Sequence, residues 1–137
     1  MIHLWTIQMG SWRLAQAANI ELCDTTAMTG NRVFAPLFEN VRAYKAGVLN
    51  EAEYTGRYLD KMRRSFAEHR PEWDQFRTKE HVALACYCPR GMFCHRHLLV
   101  DCLLKWGMRD NIPFKLMGEV HDSNPNYRWR LDEVQRN

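Results

Sequence analysis

The spacing of apolar and polar residues predicts four β-strands. Residues 2–9 and 20–24 are rich in apolar, β-compatible types, and the second stretch runs into a polar loop. Residues 82–88 are apolar almost throughout, which is typical of a central strand in a mostly parallel sheet. Residues 112–120 predict a last strand, and Pro113 places its beginning at a sheet edge.

Helical spacing occupies the segments between these strands. A helix is predicted over residues 36–46, because proline suits the first helical turn. The next helix begins after Asn50, which forms a capping-box pattern with Glu53. A further helix opens near Cys94, carries an apolar stripe and is expected to end at Gly107. Shorter helices are predicted at residues 12–19 and 72–77.

Strands that alternate with helices predict an α/β fold with a mostly parallel sheet of about four strands. The length of 137 residues matches one domain. We expect a single α/β domain over residues 1–121 and a polar, basic arm or tail over residues 122–137. The longest apolar runs are far below the ~20 residues of a membrane span, and the start lacks a signal-peptide pattern. A cytoplasmic location without a membrane partner is therefore expected.

Cysteine usage and charge narrow the classes of partner. The chain has five cysteines, and four of them lie between Cys86 and Cys102. An odd number in one short stretch is a poor disulfide framework, which indicates free thiols or metal ligands. The net charge is +3, and basic residues cluster within residues 57–64. Such a run is most often a solvated helix face, so it favours an anionic partner only weakly.

The segment from Cys86 to Arg96 concentrates reactive side chains. Cys86 and Cys88 are two residues apart in the predicted strand, so both are expected to point to one face of the sheet near its carboxyl end. Cys94 and His95 stand at a predicted helix amino terminus, where unpaired N–H groups favour an anion and stabilise a thiolate. Arg96 adds a planar donor group suited to phosphate or carboxylate.

Three kinds of chemistry are compatible with this segment. The first is anion binding at the helix amino terminus with Arg96 and His95 as donors. The second is metal ligation by thiols and an imidazole, the ligand types that zinc prefers, although the Cys-x-Cys spacing is unusual. The third is nucleophilic catalysis by Cys94 with His95 or His97 as the base. The metal ligands would be Cys86, Cys88, Cys94 and His95.

The same residues resemble the signature of the family called domain of unknown function 488. The stretch Leu84-Ala85-Cys86-Tyr87-Cys88 followed by Cys94-His95-Arg96 resembles the family's strand and its Cys-His-Arg motif. Further similar positions run from about Thr6 to Leu104. They are Thr6-Ile7, Asp24, Phe34-Ala35-Pro36, Tyr44-Lys45 and Glu53-Tyr54.

The resemblance implies a Rossmann-like three-layer sandwich of the bacterial and phage-type proteins in this family. It also implies that four residues surround one pocket: Asp24, Cys94, His95 and Arg96. Two positions depart from the family pattern, because Gln8 stands where many members have glycine and Thr26 where they have arginine. The task of holding an anion would then fall to Arg96, Arg32 or Arg90.

The leading functional hypothesis is a pocket for a nucleotide-like, phosphate-bearing ligand at the carboxyl edge of the sheet. Such a ligand would be sequestered or processed, and whether the protein is an enzyme is left open because no second carboxylate joins Asp24. One alternative is a nucleic-acid-binding or base-modifying accessory domain. A second alternative is a zinc-stabilised interaction module; no cofactor is favoured, and zinc is the one candidate.

Each role is assigned to particular residues. The catalytic candidates are Cys94, His95 and Asp24. The ligand-binding candidates are Arg96, Cys88, Thr6, Thr25, Thr26, Gln8 and Arg90. The aromatic residues considered for stacking on a base are Trp5, Tyr87, Phe93 and Trp12.

Overall fold

The computed structural model describes residues 1–136, which form one four-stranded sheet. The strands are β1 (Ile2–Gln8), β2 (Glu21–Asp24), β3 (His81–Cys86) and β4 (Phe114–Glu119). Their order is β2-β3-β1-β4, and every neighbouring pair is parallel. The expected parallel sheet is therefore confirmed, with the apolar strand β3 inside it and β4 at an edge.

Helices cover both faces of the sheet. They are α1 (Trp12–Ala17), α2 (Phe38–Lys45), α3 (Glu51–Glu68), α4 (Arg70–Asp74), α5 (His95–Asp110) and α6 (Pro125–Arg136). Alternate side chains of β1 enter separate cores: Leu4 packs in the cluster that contains Leu99 of α5, and Trp5 packs in the cluster that contains Tyr127 of α6. This arrangement confirms the Rossmann-like three-layer sandwich.

The start of α3 matches its sequence signature. The Asn50 side chain accepts a hydrogen bond from the Glu53 backbone N–H at 2.8 Å, and the Glu53 carboxylate accepts one from the Asn50 N–H at 3.1 Å. One face of the helix then buries Tyr54, Tyr58 and Met62. The predicted capping box is confirmed, and such a cap contributes about 1 kcal/mol.

Two predicted boundaries are wrong. Strand β3 ends at Cys86, so Cys88 lies in the following loop. Helix α5 does not stop at Gly107; it continues to Asp110 and ends at Asn111, which has a φ of 57°. A Cβ atom on Gly107 would lie 2.7 Å from the ring of Phe114, so this glycine serves close packing and not helix termination.

The carboxyl-terminal segment is packed on the domain as helix α6. The hydroxyl of Tyr127 donates to the carbonyl of Leu14 at 2.8 Å, and the guanidinium of Arg130 donates to the carbonyl of Ala18 at 2.9 Å. Within residues 1–136, no helix combines the length and apolar character that crossing a bilayer requires.

Candidate functional site

The loop between β3 and α5 brings three cysteines together. Gly91 has a φ of +84° and the N–H of Met92 donates to the carbonyl of Pro89, which closes a tight turn that glycine favours. The chain then returns to the sheet, where the sulphur of Cys94 lies 2.7 Å from that of Cys86. The loop thus brings the cysteine at the start of α5 into contact with the cysteine at the end of β3.

The sulphur atoms of Cys86, Cys88 and Cys94 form one cluster, which we call the thiol cluster. All three lie within 4.8 Å of one another. Cys86 and Cys94 are buried, whereas Cys88 is half-buried. Three thiols at this separation could hold a metal ion. The loop, and not strand alternation, places Cys88 beside Cys86.

One negative charge is most stable on Cys88. Hydrogen bonds from Cys86 and Cys94 to its sulphur hold the pKa of Cys88 well below the ordinary thiol value. The hydrogen bonds that Cys94 makes with the other two sulphurs, together with burial, raise its own pKa. The lowered pKa favours the thiolate form at half-buried Cys88, and the raised pKa values favour the thiol form at buried Cys86 and Cys94.

Arg96 is completely buried and faces the interior of the protein. Its Nη1 atom donates to the sulphur of Cys86 at 2.8 Å and to the carbonyl of Cys88 at 2.9 Å, while Nη2 donates to the carboxylate of Glu119 at 3.3 Å. Glu119 also accepts a hydrogen bond from the hydroxyl of Thr6 at 2.6 Å. Arg96 therefore stabilises the thiol cluster from the interior of the protein, and the carboxylate of Glu119 balances its charge.

His95 is buried and held in one orientation. Its Nε2 atom donates to the carbonyl of Thr25 at 2.7 Å and lies 2.9 Å from the Thr25 hydroxyl, which itself donates to the carbonyl of Ala85. The Nδ1 atom then carries the lone pair and can accept a hydrogen bond from the sulphur of Cys94, 3.6 Å away. Burial lowers the pKa of His95 to about 4, so the ring is neutral at pH 7.

Asp24 shapes a second loop at the carboxyl edge. Its side chain accepts a hydrogen bond from the N–H of Thr26 at 2.9 Å, and its carbonyl accepts one from the N–H of Asn31 at 2.8 Å. A Cβ atom on Gly30 would lie 2.7 Å from the Asp24 carbonyl oxygen, so the loop closes only with glycine there. Asp24 thus positions the loop.

These two loops and α2 enclose a cavity of about 380 Å³ with the thiol cluster at its floor. Its walls are aromatic: the ring of Phe93 lies 5.4 Å from that of Tyr44 and 5.7 Å from that of Tyr54. Lys45 is the single Lys or Arg side chain in the lining, and no carboxylate lines it, among residues 1–136. The cavity therefore suits a flat, partly apolar ligand that carries negative charge.

The structure brings some of the predicted site residues to this cavity and places others elsewhere. The predicted residues that line it are Thr26, Cys86, Tyr87, Cys88, Phe93, Cys94 and His95. Those outside its lining are Thr6, Gln8, Asp24, Thr25, Arg90, Arg96, Trp5 and Trp12. Phe38 and Lys45 were not predicted as lining residues, nor Glu119 as the partner of Arg96, because each reaches the site from a distant segment.

A larger cleft of about 500 Å³ lies between α3 and α5, away from the thiol cluster. It contains Cys102, which is half-buried. The basic residues of α3 are partly engaged within the fold: the amine of Lys61 donates to the carbonyls of Arg32 and Ala35, and Arg57 donates to Asn40. The described lining of the cleft has one cysteine and no histidine, whereas the smaller cavity is lined by three cysteines and His95.

A parallel α/β domain with a thiol cluster at the carboxyl edge of its sheet is the class that this geometry defines. The family model DUF488-N3a, described as the active DUF488-N3 subclade, matches residues 31–107. The chain belongs to the DUF488 family, as the Cys-His-Arg signature predicted. Neither a curated protein nor a solved structure gives a match to the chain.

Proposed function

We propose that the cavity above the thiol cluster binds a nucleotide-like ligand that carries phosphate. The observation that carries this proposal is the lining itself: aromatic walls, one ammonium group and no carboxylate within the described residues. A volume of about 380 Å³ is in the range of small-ligand pockets, which are mostly apolar with a few polar groups.

Each part of the ligand has a complementary group. A base fits against Tyr44 and Phe93, whose rings favour offset or edge contacts with another aromatic ring. The ammonium group of Lys45 attracts the phosphate, and no carboxylate in the lining competes for it; the same charge also helps to lower the pKa of Cys88. Arg96 acts indirectly, because its guanidinium holds Cys86 and the Cys88 carbonyl in place.

The cavity supports either storage or processing of this ligand. Cys88 is the most accessible sulphur of the thiol cluster and lines the cavity, so it is the group that a bound ligand would meet. Asp24 lies outside the lining and organises the neighbouring loop instead. Processing by this protein would therefore depend on Cys88, Cys94 and His95 and not on the Asp24 carboxylate.

The proposal is tested by native mass spectrometry of the purified protein and by titration calorimetry with nucleoside monophosphates. Lys45→Ala and Phe93→Ala should each weaken binding about tenfold or more, since each removes one recognition group. Lys105→Ala is the matched control, because Lys105 lines the other cleft. Equal binding by Lys45→Ala and Lys105→Ala would contradict the assignment of the phosphate to Lys45.

A zinc-stabilised module is the second candidate function, and the thiol cluster favours it. Three sulphurs lie within 4.8 Å of one another, and the Nδ1 atom of His95 is 3.6 Å from that of Cys94. The hydrogen bond from His95 to Thr25 and that from Arg96 to Cys86 resemble the outer contacts that orient metal ligands. These residues fit a zinc ion by type and number.

Metal analysis tests this second candidate. About one equivalent of zinc should co-purify with the wild-type protein and with Cys102→Ser, and Cys88→Ser should lose it. A chelator should lower the melting temperature of the wild-type protein, because metal binding stabilises only the folded chain. Metal-free protein with an unchanged melting temperature in added zinc would refute the module.

A further inference from the structure

The mouth of the cavity carries an exposed apolar rim. Met28, Phe38, Tyr87 and Met92 all line the cavity, yet between 43% and 71% of each residue is exposed. Large apolar side chains that gather around a pocket usually mark a contact surface. We call these four residues the rim.

The surroundings of the rim carry positive charge. Arg42 and Lys45 are exposed on α2, one turn and two turns after Phe38. The guanidinium of Arg42 lies over the ring of Phe38, 5.8 Å from its centroid. Exposed aromatic rings interleaved with cations are the recurring surface of proteins that bind single strands, because bases stack on the rings and phosphates meet the cations.

We propose that the nucleotide in the cavity is part of a single-stranded nucleic acid, and that its neighbouring nucleotides lie on the rim. This inference rests on the proposed function, since it names the molecule to which the bound nucleotide belongs. A free mononucleotide contacts only the cavity-facing parts of the four rim side chains and leaves their exposed parts in water. A strand covers Phe38 and Tyr87 with adjacent bases and places their phosphates near Arg42 and Lys45.

Single-stranded nucleic acid fits the fold better than a duplex. Three of the four rim residues come from the two loops after β2 and β3 and only Phe38 comes from α2, so the rim is mainly a loop surface and not one helix or strand face shaped for a groove. The basic helix α3 has fewer available cations than its sequence suggests, because Lys61 and Arg57 donate to groups of the 31–40 segment and Arg63 pairs with Asp60. Bases that are already unpaired can enter a pocket without the cost of extrusion from a duplex.

The test compares labelled single-stranded 12-mers with nucleoside monophosphates. Fluorescence anisotropy should show that at least one DNA or RNA 12-mer binds about tenfold more tightly than the best monophosphate in calorimetry. Binding should weaken with salt, with a log–log slope of about −1.4 for two phosphate contacts. Tyr87→Ala and Phe38→Ala should each weaken 12-mer binding about tenfold. Arg42→Ala, at a position outside the cavity lining, should weaken 12-mer binding and change monophosphate binding less than threefold.

Matched controls separate the rim from general surface effects. Trp129→Ala removes an exposed aromatic residue of α6, and Arg128→Ala removes an exposed cation there. Both should leave 12-mer binding unchanged, whereas Arg42→Ala should reduce the salt slope by about 0.7. All of these positions are on the surface, so the melting temperatures of the variants should match that of the wild-type protein.

Four other outcomes would overturn the inference. Equal affinity for monophosphates and 12-mers would leave the proposed function and remove the strand. Binding of 12-mers that survives Tyr87→Ala and Phe38→Ala would place the strand elsewhere. Binding of neither ligand would refute the proposed function as well. Sedimentation that shows a dimer, abolished by Tyr87→Asp, would assign the rim to a second copy of the chain.

Discussion

Replacement of Arg96 by methionine tests how the thiol cluster is supported. Methionine has a similar length but provides no donors and no charge. The change removes hydrogen bonds to the Cys86 sulphur, the Cys88 carbonyl and the Glu119 carboxylate, at 2.8, 2.9 and 3.3 Å. It also leaves Glu119 largely buried with only the Thr6 hydroxyl as a partner.

The expected loss is large because one partner of a buried ion pair is removed. Such a change typically costs about 3–5 kcal/mol, which is a major part of the ~5–15 kcal/mol that stabilises a domain. The melting temperature should fall by about 10 °C or more for a chain of this size. Urea unfolding followed by circular dichroism measures the free energy directly.

A double-mutant cycle separates the ion pair from the other contacts of Arg96. Arg96→Met combined with Glu119→Gln should be less destabilised than the sum of the two single changes by about 1 kcal/mol or more, since neither charge is then left alone. A stability of Arg96→Met within 1 kcal/mol of the wild-type value would refute the reasoning, because it would show that the guanidinium contributes little inside the fold.

Three further predictions concern other parts of the domain. Gly56→Ala should stabilise the protein by about 0.5–1 kcal/mol, because alanine favours the helix α3 and its Cβ would meet nothing within 4 Å. Gly107→Ala should destabilise the protein by about 1–2 kcal/mol, because its Cβ would lie 2.8 Å from the Ile112 carbonyl oxygen. Urea unfolding of the two variants measures the sign of each change. Asn50→Ala should cost about 1 kcal/mol through the lost cap of α3, which urea unfolding measures. Burial lowers the pKa of His81 to about 4, below its ordinary 6.5, so between these pH values the unfolded chain binds a proton that the folded chain does not. The free energy of unfolding should therefore fall as the pH drops from 6.5 to 4. His81→Gln should make this dependence on pH less steep.

The sheet could be predicted from the sequence because its strands carry uninterrupted apolar stretches. The apolar run of residues 82–88 predicted a central strand, which the structure has at His81–Cys86, and Pro113 precedes the edge strand β4. The sequence could not show that α5 continues past Gly107, because this glycine is needed for close packing against the ring of Phe114, which reaches it only in the folded chain. Local sequence patterns thus predicted the strands and helices more accurately than the residues at which they begin and end.

The site was only partly predictable for a similar reason. The thiol cluster and His95 belong to one short segment, so their proximity follows from the chain itself. The partner of Arg96 is Glu119, on a strand that follows α5, and no spacing rule links the two. A buried arginine and a surface arginine look alike in a sequence, because charge and residue type do not report the direction of a side chain.

The two loops that wall the cavity differ in kind from the elements that carry its sulphurs. Cys86 and Cys94 are anchored at the ends of β3 and α5, whereas Met28, Tyr87 and Met92 belong to segments without regular structure. Substitutions or insertions in those loops can change which molecule is selected while the sulphur geometry is kept. The architecture therefore separates selectivity from reactivity, so relatives can diverge in preference without rebuilding their reactive centre.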